Sequence, residues 1–149
     1  MRIFLSGIIT GSLTGKELHD QSYRAELRQI IQAALPEAQV RCPWDMHPDA
    51  VDYGPDKARE ALVAEVQEAA GSDLIVAYIP QASMGTAIEM WEARRQGTPV
   101  LAITPLTTNW VVLLLAQRVF PDIAAFADFA RSGGLEDFAR RAGASRAQG

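Results

Sequence analysis

Apolar residues recur along the chain with two different periods. Ile3-Phe4-Leu5 is a short β-rich run ending at Ser6-Gly7, and Leu74 to Ile79 is almost continuously apolar behind a single charged residue, Asp73. Unbroken runs of this length suit parallel strands covered on both faces. Residues 39–42 and 99–103 read as two more strands. Between these runs the period changes to that of a helix: Tyr23, Leu27, Ile30, Ile31 and Ala34 fall at i, i+4, i+7, i+8 and i+11, and Pro36 ends the pattern. A second helix is expected from an N-cap at Asp56, with Ala58, Leu62, Val66 and Ala69 as its buried stripe and Gly71 as its stop. A third is expected over 85–96, closed by Gly97. After Pro105 the spacing predicts one helix over 110–120 and shorter ones over 123–131 and 135–141.

Strands alternating with helices in this way predict one α/β domain over residues 1–141, with a doubly wound parallel sheet of four to five strands. The small, polar residues 142–149 are expected to fray as a flexible tail. Ligands of such sheets sit beyond the carboxyl ends of the strands. Three loops leave those ends: 7–22, rich in Gly, Ser and Thr; 43–55, expected to lack regular structure; and 80–84.

Composition narrows the partners. Among 149 residues, 14 Lys and Arg stand against 18 Asp and Glu, a net charge of −4. That balance offers no broad attraction for nucleic-acid polymers or anionic membranes, so a small molecule is the expected partner. Cys42 is the single cysteine, which excludes an intrachain disulfide, fits a reducing cytoplasm and suits a small buried side chain. The longest apolar stretch, 110–116, is far short of the ~20 residues of a membrane span, and the apolar N-terminus is too short for a signal peptide.

Several chemical motifs fail on inspection. Gly11 to Lys16 resembles a phosphate loop, but Thr10 stands where the first glycine belongs and Glu17 where a magnesium-binding hydroxyl belongs. No dinucleotide fingerprint, zinc spacing or nucleophile elbow occurs, and neither cofactor nor metal is expected. His47, beside Pro48, reads as a solvated turn residue. The stretch from Asp73 to Val100 says more. Ser83 can cap the third helix, Gly85 leaves room beside its first turn, and Thr86, Glu89 and Ala93 share a face that excludes Ile88, Trp91 and Arg95. On spacing alone, Glu89 either looks into the crevice at the strand's end or complements the helix N-terminus and pairs with Arg94.

Tyr78-Ile79-Pro80, Ser83 to Met90, Gly97-Thr98-Pro99-Val100, the opening Ile3 to Gly7 and Asp73 together resemble the nucleoside 2-deoxyribosyltransferase family over roughly residues 1 to 110. The resemblance implies a flavodoxin-like fold and cleavage of an N-glycosidic bond, with the sugar passed to another base or to water. It puts Glu89 at the nucleophile and Asp73 at a supporting acid. It also implies that Asn109 reaches a neighbouring subunit's site. Transferases of the family typically carry an Asp six residues before the nucleophile. Ser83 stands there, as in the branch that hydrolyses nucleoside 5'-monophosphates, so transfer and hydrolysis both stay open.

These residue types suit the chemistry. The bond breaks through an oxocarbenium-like state that a carboxylate stabilises or captures, while a second acid protonates the departing base. The expected catalytic pair is Glu89 and Asp73, and the expected substrate contacts are Ser6, Gly7, Lys16, Ser83, Gly85 and Asn109. A non-catalytic nucleotide-binding module is the alternative. The helix from Trp110, apolar all round, needs cover on every side. Either a homo-oligomer built from dimers or the later short helices of the same chain supply it.

Overall fold

Strand β1 (Arg2–Gly7) buries Ile3, Phe4, Leu5 and Ser6 completely, and it is central to the molecule. The computed structural model describes residues 1–146. With β2 (Gln39–Arg41), β3 (Leu74–Tyr78), β4 (Val100–Ile103) and β5 (Arg118–Phe120), β1 forms an all-parallel sheet in the order β2-β1-β3-β4-β5. This is the flavodoxin-like winding, in which the crevice opens where the order reverses beside β1 and β3.

Alternation along the strands divides the core in two. Ile3, Leu5, Leu74, Val76, Leu101 and Ile103 meet α1 (Tyr23–Ala34), α6 (Ile123–Arg131) and α7 (Gly134–Arg146) through Leu27, Ile31, Phe126, Ala130 and Leu135. Phe4, Ile75, Ala77, Val100 and Ala102 turn the other way. They meet α3 (Pro55–Gly71), α4 (Met84–Arg95) and α5 (Trp110–Leu115) through Ala69, Met90, Ala93, Val112 and Leu115. Each fully buried large side chain contributes about 1.5–3 kcal/mol relative to exposure, so both faces are required. Among the described residues no helix is long and apolar enough to cross a membrane.

Several expectations change. Residues 43–55 are not without regular structure: Pro43, with its fixed φ and no N–H to satisfy, starts the short helix α2 (Pro43–Met46), and Ala50–Asp52 forms a 3-10 turn. Pro55 likewise starts α3, so Gly54 and not Asp56 is the N-cap. Of the stripe expected for α3, Ala69 is buried and Val66 half-buried, but Ala58 and Leu62 are exposed, Leu62 at 42%, because the helix meets the sheet through its last turns, where Ala69 and Ala70 are buried. Finally, the helix over 110–120 stops at Leu115. Gln117 accepts the Val100 N–H through its side chain at 2.6 Å and donates its own N–H to the Val100 carbonyl at 2.9 Å, which sets Arg118–Phe120 against β4 as a fifth strand. Helix α7 continues to Arg146, into the segment expected to fray, and residues 147–149 lie outside the described residues.

Candidate active site

At its carboxyl end β1 delivers Ser6, fully buried, and then Gly7. A Cβ on Gly7 would stand 2.4 Å from the Tyr23 hydroxyl, so only glycine lets the chain turn here against that ring. Beside it β3 ends at Tyr78, and Ser83 caps α4 by accepting the Thr86 N–H at 3.5 Å. The cap fixes the rotation of α4. As the spacing predicts, Thr86, Glu89 and Ala93 are buried while Ile88 and Trp91 stay exposed.

Glu89 thus reaches the end of β1, where its Oε2 accepts a hydrogen bond from the Ser6 hydroxyl. It is 5% exposed. Burial pushes its carboxyl up to about 7; the Ser6 hydrogen bond opposes the rise, nearby Glu65 adds to it and Arg24 opposes it. Glu65 belongs to α3 and is half-buried, and its carboxyl is also raised, by burial first, with His47 and Arg24 opposing and Glu68 adding. Both acids line one cavity of about 260 Å3, together with Gly7, Thr10, Pro43, Val51, Ser83, Gly85 and Thr86. Two carboxyl groups that resist ionisation in one crevice form an unusual chemical environment, typical of functional sites.

Behind the cavity lies Arg24, 4% exposed, whose guanidinium donates to the Gln21 side chain at 2.7 Å, the Gly7 carbonyl at 3.1 Å and the Cys42 sulfur at 3.1 Å. These acceptors leave its charge uncancelled, which is why it is felt at both acids. A second, more apolar cavity of about 310 Å3 adjoins the first through Ser83; Ile79, Met90, Leu106, Val112 and Asn109 line it. The larger hollow of about 550 Å3 between α1 and α6–α7 contains Arg131 and Glu136 but no paired acids, and it is remote from the strand ends where this fold binds ligands.

The sequence-derived site is therefore only partly assembled. Ser6, Gly7, Ser83, Gly85 and Glu89 come together. Gly85 has nothing within 4 Å of where a Cβ would lie, so its openness serves the cavity and not the packing. Asn109 caps α5, accepting the Val111 N–H at 2.9 Å, and lines the apolar cavity of its own chain. Lys16 is exposed and paired with Asp52, away from both cavity walls.

Asp73 sits at the wrong end of the sheet. Its carboxylate accepts the Arg2 N–H at 2.7 Å, whereas Glu89 bonds Ser6, which pairs with Ala77 four residues further along β3. At ~3.3 Å per residue the two acids are separated by roughly 13 Å of strand. Glu65 stands where a second acid was expected. A stripe drawn through Ala61, Glu65 and Ala69 at i, i+4 and i+8 would have shown an acid on the inward side of α3. His47 is also more than a solvated turn residue: its ring is half-buried, with Nδ1 3.2 Å from the Tyr53 hydroxyl and Nε2 4.0 Å from Glu65 Oε1.

No family model matches the chain, and no curated protein matches it significantly. Solved structures do resemble it. The 2-deoxyribosyltransferase of Bacillus psychrosaccharolyticus is 16% identical with a TM-score of 0.63, over 85% of this chain and 90% of that one. A conserved protein of Enterococcus faecalis is 20% identical with a TM-score of 0.62, over 88% and 97% of the two chains. At these identities the likeness establishes a shared fold over nearly the whole length.

Proposed function

We propose that the protein cleaves the N-glycosidic bond of a (deoxy)nucleoside or its 5'-monophosphate, with Glu89 as nucleophile. The carrying observation is the pair of dehydrated carboxyl groups, Glu89 and Glu65, on one cavity at the carboxyl end of the sheet. The Glu89 carboxylate forms a bond to the anomeric carbon as the bond to the base nitrogen breaks. Glu65, whose carboxyl burial pushes up, gives the leaving nitrogen its proton. Water or an incoming base then gives a proton to Glu65 as it attacks the same carbon, which releases Glu89 and restores both acids. This reading transfers the supporting acid's role from Asp73 to Glu65. The shared fold with a 2-deoxyribosyltransferase supports it by analogy.

Ser83, on the wall common to both cavities, supports acceptance of a 5'-phosphate. The outward apolar face supports a homo-oligomer. Trp110 is 79% and Leu114 71% exposed, with Met84, Trp91 and Leu113 also exposed, while α6 and α7 pack against α1 on the opposite side and leave α5 uncovered. Contiguous apolar surface of this kind marks an interface. Light scattering of the wild type should give a mass well above 16.2 kDa, and Leu114→Asp should lower it; a monomeric, active wild type refutes the oligomer.

The reaction is tested by incubating purified protein with deoxynucleosides, ribonucleosides and their 5'-monophosphates, with and without an acceptor base, and separating the released base by chromatography. Base release that disappears in Glu89→Ala is the expected result. Release that survives the substitution overturns the assignment of Glu89.

A further inference from the structure

We infer that His47 is a positioning residue that holds Glu65 in place for its work on the leaving group. The inference deepens the glycosidic reading and rests on it. Residues 43–54 join β2 to α3, and the same segment contributes Pro43, Ala50 and Val51 to the cavity wall beside Glu65 and Glu89. His47 closes α2, donating its N–H to the Pro43 carbonyl at 2.8 Å, so the backbone that shapes the wall also places the imidazole.

The ring is held from behind. Tyr53, at the end of the 3-10 turn, meets it edge-on with centroids 5.8 Å apart and places its hydroxyl 3.2 Å from Nδ1. The ammonium of Lys57 lies 3.8 Å from the centre of the Tyr53 ring. Ion pairs fasten the segment to its neighbours, Arg28 with Asp45 and Lys16 with Asp52. With Nδ1 engaged by Tyr53, Nε2 is the nitrogen that faces Glu65 Oε1, at 4.0 Å. One carboxyl oxygen is thereby turned toward the imidazole, while the residue also lines the cavity. An acid must aim its proton at the leaving nitrogen, and small errors of placement are expensive in rate.

The other charged groups acting on Glu65 are Arg24 from α1 and Glu68 one turn along α3, and Glu65 in turn raises Glu89 on α4. Arg24 is occupied by Gln21, Gly7 and Cys42, and Glu68 by Arg41. Among the described residues His47 is the one basic side chain within 4.0 Å of the Glu65 carboxyl.

The experiment combines a double-mutant cycle with a direct titration. Wild type, His47→Ala, Glu65→Gln and the double variant are assayed for base release across pH 5 to 9. The Glu65 carboxyl is followed by 13C NMR in glutamate-labelled protein, its signal assigned by its loss in Glu65→Gln. His47→Asn replaces the alanine variant if that one fails to fold. His47→Ala is expected to lower kcat roughly tenfold with little change in KM, and to have no further effect once Glu65 is Gln. The Glu65 titration is expected to move upward in His47→Ala, because a cationic imidazole opposes the rise that burial causes. An equal loss in both backgrounds would show that His47 only builds the wall, and an unmoved Glu65 titration would show that the two groups are uncoupled; either result overturns the inference. If no substrate releases base, the proposed function fails, and the NMR titration still decides the coupling by itself.

Discussion

The two ends of the sheet treat a carboxyl group in opposite ways. At the amino end, Asp73 accepts the Arg2 N–H, and its surroundings are answered by backbone, as when Ser72 donates to the Ala69 carbonyl at 2.7 Å and Thr98 to the Ala70 carbonyl at 2.6 Å. At the carboxyl end, Glu89 is almost wholly withdrawn from water and has one hydroxyl to answer it, with a second acid nearby to oppose its charge. Both residues flank the same strand, and both stood out in the sequence as catalytic. What separates them is whether the fold satisfies the charge. A satisfied acid ties the chain together, whereas a dehydrated one stores reactivity at a cost to stability.

That difference can be broken most sharply at Glu89. Its carboxyl titrates near 7 in the folded chain and near the ordinary glutamate value, about 4.3, when unfolded. Between those values the folded state holds more protons than the unfolded one, so stability falls as pH rises from about 4.5 to about 7 and then levels off. Glu89→Gln should therefore be more stable than wild type by about 3–4 kcal/mol at pH 8 and by little at pH 4. Base release should fall by roughly a thousandfold or more, as expected when a covalent nucleophile is removed. Urea unfolding at both pH values checks the first claim. A variant less stable at pH 8 would mean that the carboxylate is well solvated, and the contrast between the two ends would collapse.

Ser6 sharpens the same contrast with a smaller effect. Its hydrogen bond lowers the Glu89 titration against the pull of burial. In the proposed reaction the nucleophile is the ionised form, so kcat/KM should rise with pH through the Glu89 midpoint. Ser6→Ala should move that limb to higher pH, lowering activity several-fold at pH 6 and little at pH 9. A limb that stays in place would remove Ser6 from any role in setting the charge of Glu89.

The chain wrote its sheet plainly and its second acid obscurely, for physical reasons. Parallel strands buried on both faces are almost continuously apolar, so Ile3–Leu5 and Leu74–Ile79 could be recognised locally, and the Ser83 cap fixed which face of α4 turns inward. Strand β5 was hidden because Arg118–Phe120 is only three residues long and follows directly on the apolar run Trp110 to Ala116, and the Gln117 contacts with Val100 divide helix from strand. Glu65 was hidden by tertiary geometry: the larger apolar residues of α3, Leu62 and Val63, face outward, whereas small alanines and an acid face α4 and the cavity. Asp73 entered the catalytic pair through the family resemblance, although its place just before Leu74 already put it at the amino end of a parallel sheet.

Asp73 itself provides the test with the smallest expected effect. Asp73→Ala removes the acceptor of the Arg2 N–H, which lies at the exposed amino end of β1 and has access to water as a replacement partner. A hydrogen bond to a charged group in such a place contributes about 1 kcal/mol, and that much should appear as a lowered urea midpoint with an unchanged slope. The carboxylate is separated from Ser6 and Glu89 by the length of β3, beyond the reach of a screened surface charge. Both kcat and the pH at which activity rises should therefore match wild type. A hundredfold loss of kcat in a folded Asp73→Ala would place this acid in a working site after all, and within one chain the sheet leaves no path for that. The residue would have to enter the cavity of a second copy, so the same preparation examined by light scattering would show whether the sites are shared between subunits.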